Sequence, residues 1–296
     1  MNFNTINVQT IQANWLTEKK VELDVLRLDK IHPVISGNKW FKLKYYLQDA
    51  FNNHKTTIAT FGGAWSNHIA AVAFACKEAG LKSIGIIRGE RPAVLSQTLK
   101  DAAQCGMELI FVSREKYRKK YLIIEKFAEK DWYWINEGGY GLLGVKGASE
   151  ILNLADISAY SHLIAAVGTG TMLAGFIQKE EKMPEIIGIS CMKGNFSLEK
   201  EITNLATLNK TAAPFQILHN YHFGGYGKHP SSLINFINEI YLNHQLPLDI
   251  VYTGKTFYAI KDLTQKDFFE PGSKLLMIHS GGLQGNLSLP EKVLAF

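Results

Sequence analysis

Cysteine is scarce in this sequence, and long apolar runs are missing from it. The 296 residues include three cysteines, Cys76, Cys105 and Cys191, which lie far apart and cannot all pair with one another. This usage favours free thiols in a reducing compartment. No apolar run approaches the roughly 18 residues that a membrane-spanning helix needs, and the N-terminus has no basic region followed by an apolar core. We therefore expect a cytoplasmic protein with no membrane partner.

An excess of one charge sign and clusters of metal-ligating residues are also missing. The 32 Lys and Arg residues nearly balance the 27 Asp and Glu residues, and the net charge of +5 is mild for this length. The densest basic cluster, residues 114–120, has the pattern of a solvated helix face, so we expect no nucleic-acid partner. No His, Cys, Asp or Glu set has metal-ligand spacing, so we expect no catalytic metal. An anionic small molecule suits this charge balance better.

Short apolar segments alternate with helical patterns along most of the chain. This alternation predicts an α/β protein with a parallel sheet. Residues 21–28 alternate apolar and charged side chains, which predicts a half-exposed strand. The other predicted strands cover 56–61, 83–88, 108–112, 163–167, 186–191, 249–252 and 275–279, and the predicted helices cover 39–53, 69–79, 93–106 and 259–263.

A composition shift near residues 131–141 indicates a second domain. There an aromatic strand runs into a glycine-rich loop that begins Glu137-Gly138-Gly139. The chain is also long enough to bury two modest cores. We predict a smaller α/β domain of residues 48–150, inserted into a larger domain of residues 1–47 and 151–296, with a ligand in the cleft between them.

One lysine follows a turn of small residues. Ser36, Gly37 and Asn38 precede Lys39, and an aromatic and basic helical pattern comes directly after it. Such a turn can fix the lysine stem while the amine faces a cavity, where partial desolvation keeps the amine neutral and nucleophilic, as a Schiff-base lysine requires. The alternative is a solvated lysine at a helix N-terminus, which is the commoner environment of a Gly-Asn-Lys sequence.

A glycine- and threonine-containing loop, residues 168–171, lies between an apolar strand and a helical pattern. Glycines allow consecutive backbone N–H groups to converge on an anion, and the helix that follows adds its N-terminal partial positive charge. The loop lacks the third glycine of a dinucleotide fingerprint and the Gly-Lys-Ser/Thr of a P-loop. It is consistent with a phosphate cradle or with a plain strand-to-helix turn.

Polar side chains stand at other predicted strand ends, where ligands bind in open α/β sheets. Ser66 and Asn67 begin a helix and can hold a carboxylate or a ring oxygen, or act as ordinary caps. We expect the next residue, His68, to be a helix-surface or packing residue. Tyr226, flanked by glycines, and Tyr252, ending a predicted strand, can transfer protons in a cleft or simply pack.

These features together suit the chemistry of pyridoxal phosphate. In their order along the chain they resemble the fold-type-II enzymes related to tryptophan synthase β, and within them the 1-aminocyclopropane-1-carboxylate deaminase/D-cysteine desulfhydrase group. The resemblance extends from about Gly37 to Gly282. It rests on the motifs Gly-Asn-Lys, Gly-Gly-x-x-Ser-Asn-His, Glu-Gly-Gly, the Gly/Thr loop, Gly-Tyr-Gly, Val-Tyr-Thr-Gly-Lys and His-Ser-Gly-Gly. It implies two open, twisted, mostly parallel sheets flanked by helices, pyridoxal 5'-phosphate as cofactor, a small amino acid as substrate, and a homodimer.

The resemblance also implies roles for individual residues. Lys39 would bind the cofactor covalently and act as general base, Asn67 would hydrogen-bond the ring hydroxyl, and Ser66 would meet the substrate carboxylate or assist proton transfer. Tyr226 and Tyr252 match the group's two active-site tyrosines, one of which would protonate or position the leaving group. The residues that would cradle the phosphate are Gly168, Thr169, Gly170 and Thr171.

Thr253 and Ser280 occupy two positions that resemble the group's substrate discriminators, and they would lie near the cofactor. The deaminase pattern has a glutamate and a leucine there, whereas this chain has hydroxyl residues at both positions. A carboxylate beside the pyridine nitrogen favours a protonated ring that supports cyclopropane opening. A neutral hydroxyl suits α-proton abstraction and loss of a good β-leaving group. We therefore predict β-elimination, as by D-cysteine desulfhydrase, giving a 2-oxo acid and ammonia.

The chain departs from the group's pattern after Lys39. Trp40 and Phe41 stand where the group has a small residue and an arginine, and Tyr140 and Gly141 replace a small polar pair. These residues would change either the wall near Lys39 or the packing of its helix. Three alternatives therefore stay open: cyclopropane deamination, a non-catalytic protein that binds pyridoxal phosphate or an amino acid, and a nucleotide-binding module built on the Gly/Thr loop.

Overall fold

Ten strands form two sheets within residues 1–178, 183–206 and 213–296, the parts of the chain that this computed structural model describes. The strands are β1 (Val8–Ile11), β2 (Glu22–Arg27), β3 (Thr57–Gly62), β4 (Lys82–Arg88), β5 (Met107–Val112), β6 (Tyr133–Ile135), β7 (His162–Val167), β8 (Glu185–Ser190), β9 (Phe215–Leu218) and β10 (Lys274–His279). A six-stranded sheet has the order β1-β2-β10-β7-β8-β9, and a four-stranded sheet has the order β5-β4-β3-β6.

Helices connect the strands and flank both sheets. They are α1 (Asn14–Lys19), α2 (Asn38–Asn52), α3 (Asn67–Glu78), α4 (Gln97–Gln104), α5 (Arg114–Tyr117), α6 (Lys120–Lys126), α7 (Leu142–Ser149), α8 (Thr171–Ile177), α9 (Leu198–Leu205), α10 (Ser231–His244) and α11 (Thr253–Gln265). Among the residues that the structure describes, no helix is long and apolar enough to cross a membrane.

Every strand pair is parallel except the pair of β1 with β2. The predicted α/β fold with two mostly parallel sheets is therefore confirmed. Parallel pairing brings the carboxyl ends of neighbouring strands to one edge of each sheet, and the loops that follow these strands meet there.

Two local predictions are wrong. The strand at 21–28 was expected to be half exposed, but β2 is buried on both faces because it lies between β1 and β10 and under packed helices. Residues 249–252 form a turn rather than a strand, and α11 begins directly after it. The side chain of Asp249 accepts hydrogen bonds from the backbone N–H groups of Val251, Tyr252 and Thr253, which closes the turn at the start of the helix.

Helix α2 belongs to two hydrophobic cores. Phe41 packs in a core of the larger sheet, whereas Leu43 and Leu47 pack in a core of the smaller sheet. Trp40 contacts both cores. The domain boundary predicted at residues 47 and 48 lies inside this helix, so α2 couples the two sheets mechanically.

A glycine allows α7 to pack closely on α2. A Cβ atom at Gly147 would lie 1.7 Å from the carbonyl oxygen of Phe41, so no side chain fits between the two helices. The neighbouring obstacle is backbone and cannot rotate away. The close approach fixes the first turns of α2, which begin next to Lys39.

We expect Gly147→Ala to destabilise the protein. Alanine would add about 1 kcal/mol of helix propensity, but overpacking against a fixed backbone oxygen costs about 1–3 kcal/mol or more. The melting temperature should therefore fall by several degrees. Leu142→Ala is the matched control in the same helix, since Leu142 is 58% exposed and its truncation should cost less than about 0.5 kcal/mol. A Gly147→Ala variant as stable as the wild type would show that the helices can separate freely.

Candidate active site

One cavity of about 540 Å³ opens at the carboxyl ends of strands from both sheets, a size typical of small-molecule sites. Loops after β3, β4 and β6 form one side of it, loops after β7, β8 and β10 form the other, and α2 adds its first turn. Nine of the eleven predicted site residues line this cavity: Lys39, Ser66, Asn67, Gly168, Thr169, Gly170, Tyr226, Tyr252 and Ser280. Thr171 and Thr253 do not line it.

The turn before Lys39 is locked against the segment that follows β10. Gly37 has a φ of 64°, and a Cβ atom there would lie 1.7 Å from the Ser280 carbonyl oxygen. The backbone N–H of Asn38 donates to this same oxygen at 3.0 Å. The Nζ atom of Lys39 lies in the cavity and donates to Asn38 Oδ1 at 2.8 Å. The sequence therefore places a lysine with a fixed stem at the cavity wall.

Burial lowers the pKa of the Lys39 amine from its usual 10.5 to about 8, and the negative charge of Asp249 offsets part of this effect. At pH 7 roughly a tenth of such an amine is neutral, hundreds of times more than for an ordinary lysine. This fraction is available to attack a carbonyl group or to accept a proton.

Lys42 is a second cavity lysine, which the sequence reasoning missed. It is buried, and burial together with the positive charge of Lys39 holds its pKa well below the usual value. Within residues 1–178, 183–206 and 213–296 its amine has no hydrogen-bond or ion-pair partner. Its spacing of three residues from Lys39 on a helix puts both side chains on one face, a signal that could have revealed it. A buried lysine without a partner is costly unless an anion joins it.

The Gly/Thr loop after β7 lies close to Lys42. A Cβ atom at Gly138 would be 3.0 Å from Thr169, and one at Gly139 would be 3.1 Å from the Lys42 stem, so this glycine pair fills the space between them. Gly170 has a φ of 76°, a left-handed conformation that glycine adopts without strain. Backbone N–H groups and the unpartnered amine of Lys42 thus lie at one end of the cavity, where a phosphate would supply the missing negative charge.

Ser66 and Asn67 lie at the start of α3, where both line the cavity. Ser66 Oγ accepts from the backbone N–H of Ile69 at 3.3 Å, so it also caps the helix. Asn67 Nδ2 donates to the Gly282 carbonyl oxygen at 2.8 Å. Asn67 Oδ1 is buried and has no partner in the part of the chain that the structure describes. An orphaned amide atom in a cavity indicates a place for a ligand's polar group.

His68 is a buried cavity residue and not a helix-surface one. The Thr60 hydroxyl donates to the Ile135 carbonyl oxygen, so His68 Nε2, 2.9 Å from that hydroxyl, must carry its own proton and donate. Its Nδ1 atom is therefore a bare acceptor, buried and unpartnered among the described residues. Burial and the charges of two cavity lysines lower its pKa to about 3, so the ring stays neutral.

The two predicted tyrosines meet at the cavity wall. The Tyr252 hydroxyl lies 3.4 Å from the Tyr226 hydroxyl, and their rings pack edge to face at 5.9 Å. Burial raises the pKa of the Tyr252 phenol well above its usual 10, and Tyr226 adds to this rise. At neutral pH the Tyr252 phenol is therefore protonated and can act only as a proton donor.

The two predicted discriminators have different environments. Ser280 lines the cavity, and its hydroxyl has no hydrogen bond to any residue that the structure describes. Thr253 is fully buried behind the cavity, where its hydroxyl donates to the Asp249 carboxylate at 2.7 Å and accepts from the Asp249 backbone N–H at 2.7 Å. Thr171 likewise lies outside the cavity, with its hydroxyl 3.0 Å from that of Thr169.

Trp40 and Phe41 do not line the cavity. Both side chains pack into the hydrophobic cores around α2. The departure from the family pattern at these positions therefore changes helix packing and leaves the wall near Lys39 unaltered. The argument for a non-catalytic protein, which depended on an altered wall, loses its basis.

These observations define the class of protein. The cavity offers a lysine with a nucleophilic amine, a loop of N–H groups beside the unpartnered Lys42 amine, and an orphaned amide oxygen. An aldehyde suits the lysine, a phosphate suits the loop, and a ring substituent suits the amide oxygen, so the residues present fit pyridoxal phosphate. The fold and the site are those of a fold-type-II pyridoxal-phosphate enzyme.

Comparisons with known proteins lead to the same class. Residues 7–281 match the family model described as "Pyridoxal-phosphate dependent enzyme", and the chain belongs to this family. A Pyrococcus horikoshii protein provisionally named 1-aminocyclopropane-1-carboxylate deaminase is 31% identical over 286 residues, which cover 88% of this chain and 84% of that protein. A mitochondrial Arabidopsis thaliana protein, named bifunctional D-cysteine desulfhydrase/1-aminocyclopropane-1-carboxylate deaminase, is 26% identical over 298 residues, with 89% and 73% covered.

A solved structure gives the same result for the fold. The crystal structure of a 1-aminocyclopropane-1-carboxylate deaminase homologue superposes with a TM-score of 0.83 at 25% identity and covers 97% of this chain and 92% of that one. The predicted family, the enzyme class and the pyridoxal-phosphate cofactor are thus confirmed. The chain is an enzyme of the deaminase/desulfhydrase group.

We expect covalent attachment of pyridoxal phosphate to the apoenzyme to follow the titration of Lys39. Only the neutral amine attacks the aldehyde, so the attachment rate should rise with pH, reach half its maximum near pH 8 and level off above it. Borohydride trapping followed by peptide mapping measures the rate at Lys39 itself, and Lys39→Ala supplies the unlabelled control. A midpoint near pH 10 would contradict the desolvated environment of this amine.

Proposed function

We propose that this enzyme catalyses β-elimination from a small amino acid, in the manner of a D-cysteine desulfhydrase. D-cysteine and water would give pyruvate, hydrogen sulfide and ammonia. The observation that carries the proposal is the character of the cavity wall around Tyr252 and Ser280, which has hydroxyl groups and no carboxylate. Among the described residues, Glu137 is the only acidic residue that lines the cavity, and its carboxylate is ion-paired with Lys120 at 2.6 Å.

The cofactor would be held by groups from both sheets. Lys39 would carry it covalently, the N–H groups of residues 168–170 and the Lys42 amine would bind its phosphate, and Asn67 would face its ring oxygen. When bound, pyridoxal phosphate withdraws electrons from the Cα atom of an amino acid and so makes the α-proton acidic. The hydroxyl of Ser280 has no other partner among the described residues and is free to face the ring nitrogen.

The substrate would be oriented by the start of α3. Unsatisfied N–H groups at this helix N-terminus and the Ser66 hydroxyl suit the α-carboxylate. The neutral Lys39 amine would then accept the α-proton, because its lowered pKa of about 8 makes it a base near neutral pH. Buried His68 stays neutral and adds no competing positive charge to this end of the site.

The tyrosine pair would protonate the leaving group. The high pKa of Tyr252 keeps its proton in place, and Tyr226 lies at 3.4 Å to share in the transfer. Lys39 as base and Tyr252 as acid would thus face the same cavity. Removal of a proton from Cα requires a base, and loss of a thiolate from Cβ is assisted by an acid.

Deamination of 1-aminocyclopropane-1-carboxylate is the second candidate. It is favoured by the names of the relatives and by the carboxylate of Asp249, which accepts a hydrogen bond from Thr253. A negative charge one residue behind the wall could favour a protonated ring. This reaction would convert the substrate and water into 2-oxobutanoate and ammonia.

The expected substrate is D-cysteine. Purified enzyme with pyridoxal phosphate should release sulfide and pyruvate in equal amounts from D-cysteine, and it should produce little 2-oxobutanoate from the cyclopropane acid. L-cysteine serves as the stereochemical control, and Lys39→Ala as the inactive variant. Faster formation of 2-oxobutanoate than of pyruvate would assign the enzyme to the second candidate. A cofactor-bound protein that releases neither product would contradict both.

We expect Tyr252→Phe to lower kcat for D-cysteine by about 10²-fold or more, since loss of a positioned acid typically costs 10²–10⁴-fold. Cofactor absorbance should be unchanged. Tyr258→Phe is the matched control, because Tyr258 is in the helix that directly follows Tyr252, packs against Phe223 and lies outside the cavity lining. An unchanged kcat in Tyr252→Phe would remove this phenol from the proton path.

We also propose a homodimer in the cytoplasm. The dimer is supported by the resemblance to the deaminase/desulfhydrase group, and the location by the three cysteines that cannot all pair.

A further inference from the structure

A positive charge at the cavity has no role in the steps above. Arg88 is the last residue of β4, and its guanidinium lies beside the loop that holds Ser66, since a Cβ atom at Gly63 would be 3.6 Å from Arg88 Nη2. In residues 1–178, 183–206 and 213–296, no carboxylate pairs with it and no group accepts a hydrogen bond from it. Its guanidinium lies over the ring of Tyr117, with Arg88 Cζ 6.0 Å from the ring centroid.

The surrounding charges leave Arg88 unmatched. Glu137 also lines the cavity, but its carboxylate is paired with Lys120, whose amine lies 5.1 Å from the centroid of the same Tyr117 ring. The group of Arg88, Lys120 and Glu137 therefore has a net charge of +1. Tyr226, 49% exposed, is near enough for the charges of Arg88 and Glu137 to act on its phenol.

We propose that Arg88 is a specificity-determining residue that binds a second anionic group of the substrate. This proposal rests on the proposed function. The α-carboxylate would lie on the loop with Ser66, and the second anion, on the side chain or leaving group, would reach the guanidinium beside the same loop. Arg88 is exposed to solvent, and its guanidinium presents paired N–H donors that match a carboxylate. Amino acids whose β-substituent ends in a carboxylate or a similar anion would therefore bind more tightly than neutral ones of the same shape.

A pairing with Glu137 would give Arg88 a different use. Both residues lie on the same side of the cavity, and if Glu137 released Lys120 it could pair with Arg88 and serve as a latch within that side. A latch would strengthen the binding of every substrate alike, and the variants Arg88→Gln and Glu137→Gln would then have the same effect. A subsite for an anion instead separates charged from neutral substrates, and it depends on Arg88 alone.

Two ligands of the same shape but different charge distinguish an anion subsite from a latch. S-carboxymethyl-D-cysteine carries a distal carboxylate, and S-carbamoylmethyl-D-cysteine has a neutral amide in its place. Their dissociation constants are measured from the change in visible absorbance of the bound cofactor after rapid mixing, before elimination can proceed. The wild type should bind the carboxylate ligand about tenfold more tightly or better. Arg88→Gln should bring the ratio close to one.

Arg91→Gln is the matched control. Arg91 is exposed, lies over the Phe111 ring at 5.5 Å and is absent from the cavity lining, so its variant should keep the wild-type ratio. Equal affinities for the two ligands in the wild type would overturn the proposal, as would an equal loss for both ligands in Arg88→Gln. If an enzyme that releases sulfide from D-cysteine gives either of these results, the role of Arg88 is contradicted and the proposed function is not. A protein without cofactor absorbance would contradict the proposed function and this proposal with it.

Discussion

The active site depends on the contact between two stretches of backbone, the turn before Lys39 and the segment after β10. Cβ atoms at Gly37 or Gly281 would lie within 2.6 Å of the opposite backbone, and Ser36 Oγ accepts from the Gly282 N–H at 3.2 Å. Gly282 also accepts from Asn67, so one junction sets the positions of the lysine, of the wall at Ser280 and of the first turn of α3. A side chain at these glycines would have to push the larger sheet's β10 away from α2.

Burial determines the chemistry of the groups that this junction brings together. It lowers the pKa of Lys39 to about 8 and raises that of Tyr252, because in each case it disfavours the charged form. One physical effect thus increases the neutral fraction of the amine and keeps the phenol protonated in a single cavity. The carboxylate of Asp249, which closes the turn before α11, offsets part of the effect of burial on Lys39 and adds to its effect on Tyr252. A helix cap therefore contributes to the electrostatics of the site.

The sequence predicted the features that depend on local pattern, and it missed those that depend on distant parts of the chain. The strand-and-helix alternation and the lysine turn are local, since glycines and apolar runs specify them within a few residues. The exclusion of Thr253 from the cavity depends on Asp249, which takes its hydroxyl hydrogen bond in a turn that resembled a strand. The burial of β2 depends on pairing with β10, some 250 residues away. The burial of Lys42 depends on the loop of Gly138 and Gly139, which is distant in the sequence and packs on the Lys42 stem. In the sequence, only the three-residue helical spacing of Lys42 from Lys39 could have revealed a second cavity lysine.

The position of Tyr226 shows how a loop with little packing of its own is held in place. Gly224, Gly225 and Gly227 all have positive φ and supply no side chains. The anchor is Lys255, fully buried in the first turn of α11, whose amine donates to the carbonyl oxygens of His222 at 3.0 Å and Gly225 at 2.9 Å. These bonds offset the cost of a buried amine, and burial still lowers its pKa. Because Tyr252 directly precedes the same helix, a single rigid element sets the distance between the two phenols.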